Sequence, residues 1–275
     1  MEYQPFSVVM SVYKSDNPQY LDRAIESITD CQTIKPNEIV LVVDGPVSDE
    51  LNLMIEKYAA KYPFKTIRLE ENGGLGNALK IATENSSYEL IARMDSDDVS
   101  LPNRFEQQLR YLGENKTIDV VGGDISEFIN DETNVVSKRS VPLDDASIKK
   151  YMRKRCPMNH VSVMFKKNSV LSAGGYLDWF WNEDYYLWIR MNINKCVFAN
   201  TGTILVNVRS GFDQFARRGG WKYFKSERDL QRLMLKNGLI NIFRYFLNCL
   251  IRFVFQVLMP NKIRGFIFVK IVRKK

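Results

Sequence analysis

The sequence predicts an α/β protein built on a mixed, mainly parallel sheet that is flanked by helices. Short apolar runs alternate with stretches of helical periodicity through residues 6–112, which is typical of a parallel sheet covered on both faces. Acidic residues follow two of these runs, at Asp44 and Asp95, where ligands of such sheets bind. After Asp119 the alternation becomes irregular, which indicates strands of mixed direction at one edge.

The regular part of the chain predicts four strands and four helices. The strands are placed at the short apolar runs 6–12, 38–43, 66–69 and 89–94. The helices, identified by apolar residues three and four apart, are placed at 20–28, 51–58, from 77 and 105–112. Downstream, strands are predicted at 120–123, 125–129, 134–141, 161–165 and 204–208, and helices at 146–152, after 165 and from 182.

Composition indicates a folded protein with a basic C-terminus. Hydrophobic residues make up 45% and charged residues 26% of the 275 residues, which is enough for a large core. The net charge is +7, but ten Lys or Arg and no acid follow Asp229, so the first 229 residues carry −3. A cationic tail favours an anionic membrane surface as partner, and no nucleic-acid binding is expected.

The N-terminus and the cysteines predict a cytoplasmic location. The opening residues MEYQP lead directly into a predicted strand, so no signal peptide is expected. The four cysteines lie far apart, with no CxxC and no companion histidines. This usage argues against a zinc site or a disulfide framework and fits a reducing compartment.

The strongest candidate site is the acidic turn at residues 93–98, with the sequence RMDSDD. In extended backbone, Asp95 and Asp97 share one side and Asp98 faces the other. The three carboxylates repel one another, and a bound cation removes that penalty. Paired oxygen ligands at the end of a strand suit Mg²⁺ or Mn²⁺ carrying a phosphorylated ligand. The alternative is a solvated turn in which Asp98 or Ser100 caps the next helix.

Two other turns are candidates for nucleotide contacts. Asp44 follows the second strand, and its carboxylate is suited to accept a hydrogen bond from a uracil N3–H or a ribose hydroxyl. Alternatively, Asp44, Gly45 and Pro46 form a simple turn. The run NGGLG at 72–76 leads into a helix N-terminus, whose free N–H groups favour phosphate or ribose. It does not match the dinucleotide fingerprint.

Candidate acid–base residues lie further along the chain. Glu183 and Asp184 begin a helix after Asn182, which is the pattern of a helix cap with acids favoured by the dipole. The other interpretation makes Asp184 a general base that takes a proton from an attacking hydroxyl. His160, the single histidine, is either a structural residue or a contact to a diphosphate or an acceptor hydroxyl.

Together these stretches make residues 5–210 resemble the family 2 inverting glycosyltransferases with the GT-A (Rossmann-like) fold. The resemblance is strongest to bacterial enzymes that build O-antigen and capsule repeat units. Seven pieces carry it by their order and spacing: SVVMSVY at 7–13, VVDG at 42–45, NGGLGNA at 72–78, ARMDSDD at 92–98, PNRF at 102–105, residues 160–176 and EDYYLWIR at 183–190.

The resemblance implies a role for each matching residue. The nucleotide-sugar would be bound by residues of the glycine turn and of the strand ends, namely Tyr13, Asp44, Gly74, Arg93, Asp95 and Arg104. Asp97, with Asp95, would bind a Mn²⁺ or Mg²⁺ ion that bridges the diphosphate, and the two arginines would neutralise the phosphates or brace the acid cluster. Asp184 would be the base and Glu183 would orient it or the acceptor, with His160 at the diphosphate or the acceptor.

The implied reaction moves glucose or galactose from a UDP-sugar to a polyprenyl-diphosphate-linked saccharide at the cytoplasmic face of the membrane. Its product would be a β-1,3 linkage onto GlcNAc- or GalNAc-diphosphoundecaprenol, in O-antigen (lipopolysaccharide) or capsule synthesis. Two departures from the family pattern matter. Lys80 replaces an Asn that is common in the family, and QFARR at 214–218 lacks the Trp of the QxxRW signature, which implies non-processive transfer.

Other classes of protein share parts of this pattern. A sugar nucleotidyltransferase has a similar sheet and acidic metal ligands, but it needs a glycine-rich basic loop after the first strand, where this chain has VYKSDN. A membrane-docked protein that binds sugar-nucleotides without turnover is the non-enzymatic alternative. A nucleic-acid binder would need aromatics on a basic face of the main domain.

The sequence divides into a GT-A domain at 1–215 and a C-terminal helical, membrane-associating extension at 216–275. The longest apolar stretch, 239–259, contains Asn241, Arg244, Asn248, Arg252 and Gln256 at intervals of three or four residues, which predicts an amphipathic helix with one polar stripe. The cost of placing two arginines in the middle of a membrane nearly cancels the gain from inserting the apolar residues. A helix that spans the membrane, lies at its surface or packs on the domain therefore stays open. Pro260 ends the stretch, and basic residues follow it.

Overall fold

The computed structural model describes residues 3–210 and 219–259 of the chain. In these residues the strands are β1 (Phe6–Val12), β2 (Glu38–Val43), β3 (Phe64–Arg68), β4 (Leu90–Arg93), β5 (Val99–Ser100), β6 (Val120–Phe128), β7 (Val135–Arg139), β8 (Met164–Lys166) and β9 (Phe198–Arg209). The α-helices are α1 (Pro18–Ile28), α2 (Asp49–Ala59), α3 (Leu75–Asn85), α4 (Arg104–Glu114), α5 (Asp145–Met152), α6 (Lys167–Ser172), α7 (Glu183–Ile193), α8 (Trp221–Lys236) and α9 (Ile242–Phe253).

All these strands belong to one sheet, which confirms the predicted mixed, mainly parallel architecture. Strands β3, β2, β1 and β4 lie side by side in parallel. Strand β8 joins β4 and β6 as an antiparallel neighbour of both, and β9 runs parallel to β6. The short strands β5 and β7 pair antiparallel with β9 and β6. The carboxyl ends of β1, β2 and β4 therefore meet at one edge of the sheet.

The core has two layers because successive strand residues point to opposite faces. Met10 and Leu41 pack into the layer that contains α1, α2 and α4. Val9 and Val40 pack into the opposite layer, which contains α3, α5, α7 and α8. Burial on both faces explains why β1 and β2 are continuous apolar runs rather than alternating ones.

Several predicted elements differ from the structure. The two strands placed at 120–129 are one strand, β6, whose register against β9 shifts between Gly122 and Ile125. Gly123 makes room there for Leu205, since a Cβ would lie 2.5 Å from Leu205 Cδ1. The strand placed at 161–165 begins as a 3-10 helix over His160–Ser162, in which Ser162 N donates to Asn159 O (2.9 Å).

Helix α8 lies in the extension predicted to be helical, but its bounds were not predicted, although the spacing of Leu230 and Met234 carries a helical signal. Both side chains are fully buried and belong to the same core layer as Trp188 of α7. The predicted domain boundary at 215/216 and the QFARR segment lie outside the described residues, as do Pro260 and the basic residues after it. The described part of the extension thus packs on the core of the main domain.

The apolar stretch at 239–259 forms α9 followed by a π-helical turn at Val254–Leu258. Among residues 3–210 and 219–259, no helix has both the length and the apolarity needed to cross a membrane.

Candidate active site

The acidic turn begins where β4 ends, and the two neighbouring segments hold its backbone. Met94 N donates to Val9 O of β1 (3.0 Å), and Arg93 N donates to Val163 O just before β8 (3.0 Å). The turn therefore leaves the sheet at the carboxyl edge of the parallel strands. This is the location predicted for a ligand site.

The three aspartates of the turn point in two directions, as strand alternation predicts. Asp95 and Asp97 are partly exposed, whereas Asp98 is buried. Asp95 forms an ion pair with Arg93, whose Nη1 lies 2.6 Å from Asp95 Oδ2. Asp98 Oδ1 instead accepts a hydrogen bond from Arg209 N at the end of β9 (2.8 Å). Asp98 thus anchors the turn, and the other two carboxylates face the site.

Arg104 is buried beneath the turn. Its Nη2 donates to the carbonyl oxygens of Arg93 (2.7 Å) and Val163 (3.3 Å), and its Nε donates to Gln108 Oε1 (3.1 Å). Of the two roles predicted for it, bracing the acid cluster fits these contacts, and direct binding of a nucleotide does not. The physical reason is its complete burial: the side chain exposes none of its surface.

We expect Arg104→Met to lower the free energy of unfolding by about 2–4 kcal/mol, because it removes the hydrogen bonds that the buried guanidinium donates to Arg93 O and Gln108 Oε1. Arg110→Met is the matched control, since Arg110 lies on the same helix and is exposed. Urea denaturation measures both variants. If the Arg104 variant kept wild-type stability but bound the nucleotide-sugar more weakly, Arg104 would be a ligand contact after all.

The site concentrates negative charge. Burial raises the pKa of Asp97 to about 7, and the charges of Asp95 and Asp16 add to the shift. Asp16 was not among the predicted site residues. It lies in the loop after β1, where Asp16 Oδ2 accepts hydrogen bonds from Tyr13 N and Ser96 Oγ, both at 3.0 Å. This loop thereby connects the end of β1 to the acidic turn.

The carboxylate of Asp44 holds the glycine turn in place. Its oxygens accept hydrogen bonds from Gly73 N (2.7 Å), Gly74 N (2.9 Å) and Asn72 Nδ2 (2.9 Å). The contact is close because residue 45 is glycine: a Cβ on Gly45 would lie 2.8 Å from Asn72 N. The N–H groups of Gly73 and Gly74, predicted as donors to phosphate or ribose, are therefore already paired with Asp44.

Tyr13 offers an accessible aromatic ring beside this turn. It directly follows β1 and is 41% exposed. Asp44 N donates to Val12 O (2.8 Å), so the ends of β1 and β2 are directly linked. A free ring next to a buried carboxylate is suited to stacking on a nucleobase.

The first turn of α7 carries Glu183 and Asp184, both partly exposed. It packs against the start of α3, where a Cβ on Gly76 would lie 3.5 Å from Glu183 Cβ. Asp184 Oδ2 accepts a hydrogen bond from the thiol of Cys156 (3.3 Å). Burial raises the pKa of this thiol, and the charge of Asp184 adds to the shift. Cys156 therefore stands as a neutral donor to the predicted base.

Burial raises the pKa of Glu183 to about 7, and the neighbouring charges of Asp184 and Asp95 also raise it. The folded state thus holds this proton more tightly than the unfolded chain. The contribution of Glu183 to the free energy of unfolding therefore falls as the pH rises from about 4.5 to about 7. We expect Glu183→Gln to be more stable than wild type by about 1–3 kcal/mol at pH 8, with little difference at pH 4.5.

Thermal or urea unfolding at both pH values measures this difference. Glu50→Gln is the matched control, because Glu50 occupies the first turn of α2 and is exposed. An equal stability difference at pH 4.5 and pH 8 would contradict the raised pKa of Glu183.

His160 is half-buried behind the acidic turn. Its Nε2 lies 2.8 Å from Tyr176 Oη, and its ring packs edge-on against Trp188 at a centroid distance of 6.0 Å. Burial lowers the pKa of His160 well below its usual value, and the charge of Arg93 adds to this. His160 is therefore neutral at pH 7, and the structural interpretation of it fits these contacts.

Arg209, at the end of β9, also belongs to the site and was missed from the sequence. Its Nε donates to Asp97 O (3.1 Å), and its guanidinium lies 3.7 Å from the centroid of the Tyr20 ring. Nothing local to Arg209 in the sequence indicates this contact, because 112 residues separate it from Asp97.

The carboxylates fit a divalent cation that is only partly coordinated by protein. In the described ranges 3–210 and 219–259, no group of three His, Cys, Asp or Glu side chains forms a complete metal cluster. Mg²⁺ and similar ions commonly use one or two carboxylates and take their other ligands from phosphate and water. Asp97 and Asp95 supply such a pair, and a cation there would offset the repulsion between them.

Solved structures with the same architecture show the fold. Staphylococcus aureus TarS 1-349 in complex with UDP-GlcNAc superposes with a TM-score of 0.65 at 18% identity, covering 91% of this chain and 72% of that one. The mannosyltransferase PcManGT from Pyrobaculum calidifontis, in complex with GDP-Man and Mn²⁺, gives 0.63 at 14% identity, covering 86% and 65%. The fold is the GT-A glycosyltransferase fold.

Sequence comparison identifies the family. The model of the family described as Glycosyl transferase family 2 matches residues 7–176. The amylovoran biosynthesis glycosyltransferase AmsE of Erwinia amylovora is 38% identical over 265 residues, covering 96% of this chain and 98% of that protein. The UDP-Gal:alpha-D-GlcNAc-diphosphoundecaprenol beta-1,3-galactosyltransferase of Escherichia coli is 34% identical over 269 residues, covering 98% and 97%. The chain belongs to glycosyltransferase family 2 and is a glycosyltransferase.

Proposed function

We propose that this enzyme is a metal-dependent, inverting, non-processive hexosyltransferase that uses a UDP-sugar and a lipid-linked saccharide. The observation that carries the proposal is the pairing of two acidic groups in one site. Asp95 and Asp97 follow β4, and Glu183 and Asp184 open α7, whose first turn packs against the start of α3 beside the glycine turn. One group suits a diphosphate-bound cation and the other suits an acid–base role.

In this mechanism the acceptor hydroxyl oxygen attacks C1 of the donor sugar from the face opposite the diphosphate. The bond from C1 to the UDP oxygen breaks, the configuration at C1 inverts, and UDP leaves with the electron pair. Asp184 takes the proton of the attacking hydroxyl, and Glu183 orients the acceptor. A Mn²⁺ or Mg²⁺ ion held by Asp97 and Asp95 would stabilise the charge on the leaving diphosphate.

The nucleotide-binding roles follow from the surroundings of the residues. Tyr13 is free to stack on the base, and Arg93, paired with Asp95, is suited to keep that carboxylate oriented toward ribose or sugar. Asp44 and Gly74 shape the glycine turn, since Gly74 N donates a hydrogen bond to Asp44 Oδ2. His160 orients Tyr176 behind the diphosphate site.

The proposed donor sugar, acceptor and linkage rest on the names of the relatives. The Escherichia coli relative is named for transfer of galactose to a GlcNAc-diphosphoundecaprenol, and the Erwinia relative for amylovoran synthesis. The Escherichia coli name supports galactose as the donor sugar, GlcNAc-diphosphoundecaprenol as the acceptor and a β-1,3 linkage. By the family resemblance, the proposal extends to glucose as donor, to GalNAc-diphosphoundecaprenol as acceptor, and to synthesis of O-antigen or capsular polysaccharide at the inner face of the bacterial cell membrane.

The direct test measures UDP release from a panel of UDP-hexoses with Mn²⁺, using a short-tailed N-acetylglucosaminyl-diphosphate lipid as acceptor. Release that depends on both acceptor and metal is expected for one hexose. A donor that binds without turnover on any N-acetylhexosaminyl-diphosphate lipid would contradict the proposed acceptor. Failure to bind any UDP-sugar would contradict the proposed donor class.

A further inference from the structure

Helix α9 presents its apolar face outward and its polar face to the protein. Phe243 and Leu250 are 74% and 61% exposed, whereas Asn248 and Arg252 are buried. The usual arrangement of an amphipathic helix on a globular protein is the reverse. The polar stripe predicted from the sequence exists, but its middle lies against α8 instead of facing water.

Directed polar contacts fix this orientation. Asn248 Nδ2 donates to Gln231 Oε1 of α8 (2.7 Å) and to Arg153 O (2.8 Å). Arg252 forms an ion pair with Glu227 of α8, and its Nη2 donates to Lys154 O (2.7 Å). Rotating the helix to bury its apolar face would leave the charge of Glu227 buried and unpaired, which is strongly unfavourable.

The outward face is a continuous apolar surface. The large apolar side chains exposed on α9 and the π-helical turn that follows it are Ile242, Phe243, Phe246, Leu247, Leu250, Ile251, Val254, Phe255 and Leu258. Trp221 extends this surface: it is exposed, and its ring packs edge-on against Phe253 at a centroid distance of 6.2 Å. Contiguous apolar patches of this kind mark surfaces that bind a membrane or another protein.

The charges around the patch favour an anionic lipid surface over a second copy of the chain. Both acids of α8 pair with arginines, Glu227 with Arg252 and Asp229 with Arg228. The other lysines and arginines of the two helices are left as excess positive charge, and they are Lys222, Lys225, Arg232, Lys236 and Arg244. Two such surfaces would repel each other, whereas anionic headgroups attract them. Tryptophan beside lysine is also typical of the membrane interface.

We propose that the apolar face of α9 inserts into the headgroup region of an anionic membrane, parallel to its surface. Residues 153–156 connect the buried polar face of α9 to the site: the carbonyl groups of Arg153 and Lys154 accept hydrogen bonds from α9, and the thiol of Cys156 contacts Asp184. Helix α9 therefore packs on the segment that contacts the proposed base. The purpose of membrane binding rests on the proposed function, because an acceptor with a lipid tail is itself held at a membrane.

The test uses the full-length protein and sedimentation with vesicles of phosphatidylglycerol and phosphatidylethanolamine, or of phosphatidylcholine alone. We expect binding to the anionic vesicles that weakens with added salt, and much less binding to the neutral ones. Leu250→Asp is expected to weaken binding about tenfold or more. Leu53→Asp is the matched control and should bind as wild type does, because Leu53 is a 66% exposed helical leucine on α2.

Thermal unfolding of both variants shows whether each one is folded. Equal binding by Leu250→Asp and wild type would overturn the proposal. Sedimentation velocity that showed a wild-type dimer, broken by Leu250→Asp, would assign the face to a second copy and would equally overturn it. None of these measurements uses sugar transfer, so failure of the membrane proposal and failure of the proposed reaction are distinguishable.

Discussion

Asp184→Asn is expected to lower kcat by about 10²–10⁴-fold while leaving the KM for the donor within about threefold, because a general base acts on the attacking hydroxyl and not on donor binding. Asparagine keeps the size of the side chain and an oxygen that can accept from Cys156, so the geometry is preserved. Only the ability to take a proton is removed. Acceptor-dependent UDP release at saturating donor measures the effect.

Glu183→Gln is the paired variant for this experiment. Glu183 precedes Asp184 in the same helical turn, and its predicted role is orientation. Its substitution should therefore cost less in kcat than that of Asp184. The reverse order, with turnover retained in Asp184→Asn and lost in Glu183→Gln, would move the base to Glu183.

Asp97→Asn should lower turnover about a thousand-fold, because it removes an ionised ligand from a cation whose stabilisation of the leaving group amounts to several kcal/mol. A chelator should abolish turnover of the wild type, and added Mn²⁺ should restore it. The titration of Mn²⁺ by electron paramagnetic resonance, with UDP present, gives a second readout that does not depend on the acceptor.

Asp98→Asn provides the matched control. Asp98 is the next residue, but it is buried and accepts from Arg209 N, a contact that asparagine can also make. We expect this variant to bind Mn²⁺ as the wild type does and to keep most of its turnover. Equal damage from both substitutions would contradict the assignment of Asp97 as the ligand and would attribute the loss to the turn as a whole.

Much of the sheet and part of the site could be predicted because their signals are local. Burial on both faces makes β1 and β2 continuous apolar runs. Asp98 is buried while Asp95 and Asp97 are partly exposed, as the sequence predicts, although the chain bends at Ser96 and Asp97. The parallel order of strands then brings Asp44 and the acidic turn to the same edge. Each step depends on residues near one another in the chain.

The residues that were missed, and those whose role the sequence left open, depend on long-range packing. Arg209 and Cys156 reach Asp97 and Asp184 from distant elements, and Asp16 reaches the turn through a loop of irregular structure. Arg104 carries the same charge as a phosphate-binding arginine, but its burial directs it to backbone carbonyl groups. Neither residue type nor spacing indicates which groups a folded chain leaves exposed.

Helix α9 shows most clearly which features the sequence determines and which depend on the tertiary structure. Its periodicity alone determines that one face is polar and the other apolar, because 3.6 residues per turn place Asn248 and Arg252 in one line. Which face meets the protein depends on what the neighbouring surface offers. Here Glu227, Gln231 and two free carbonyl groups supply partners for the polar face, so the tertiary structure turns the apolar face outward.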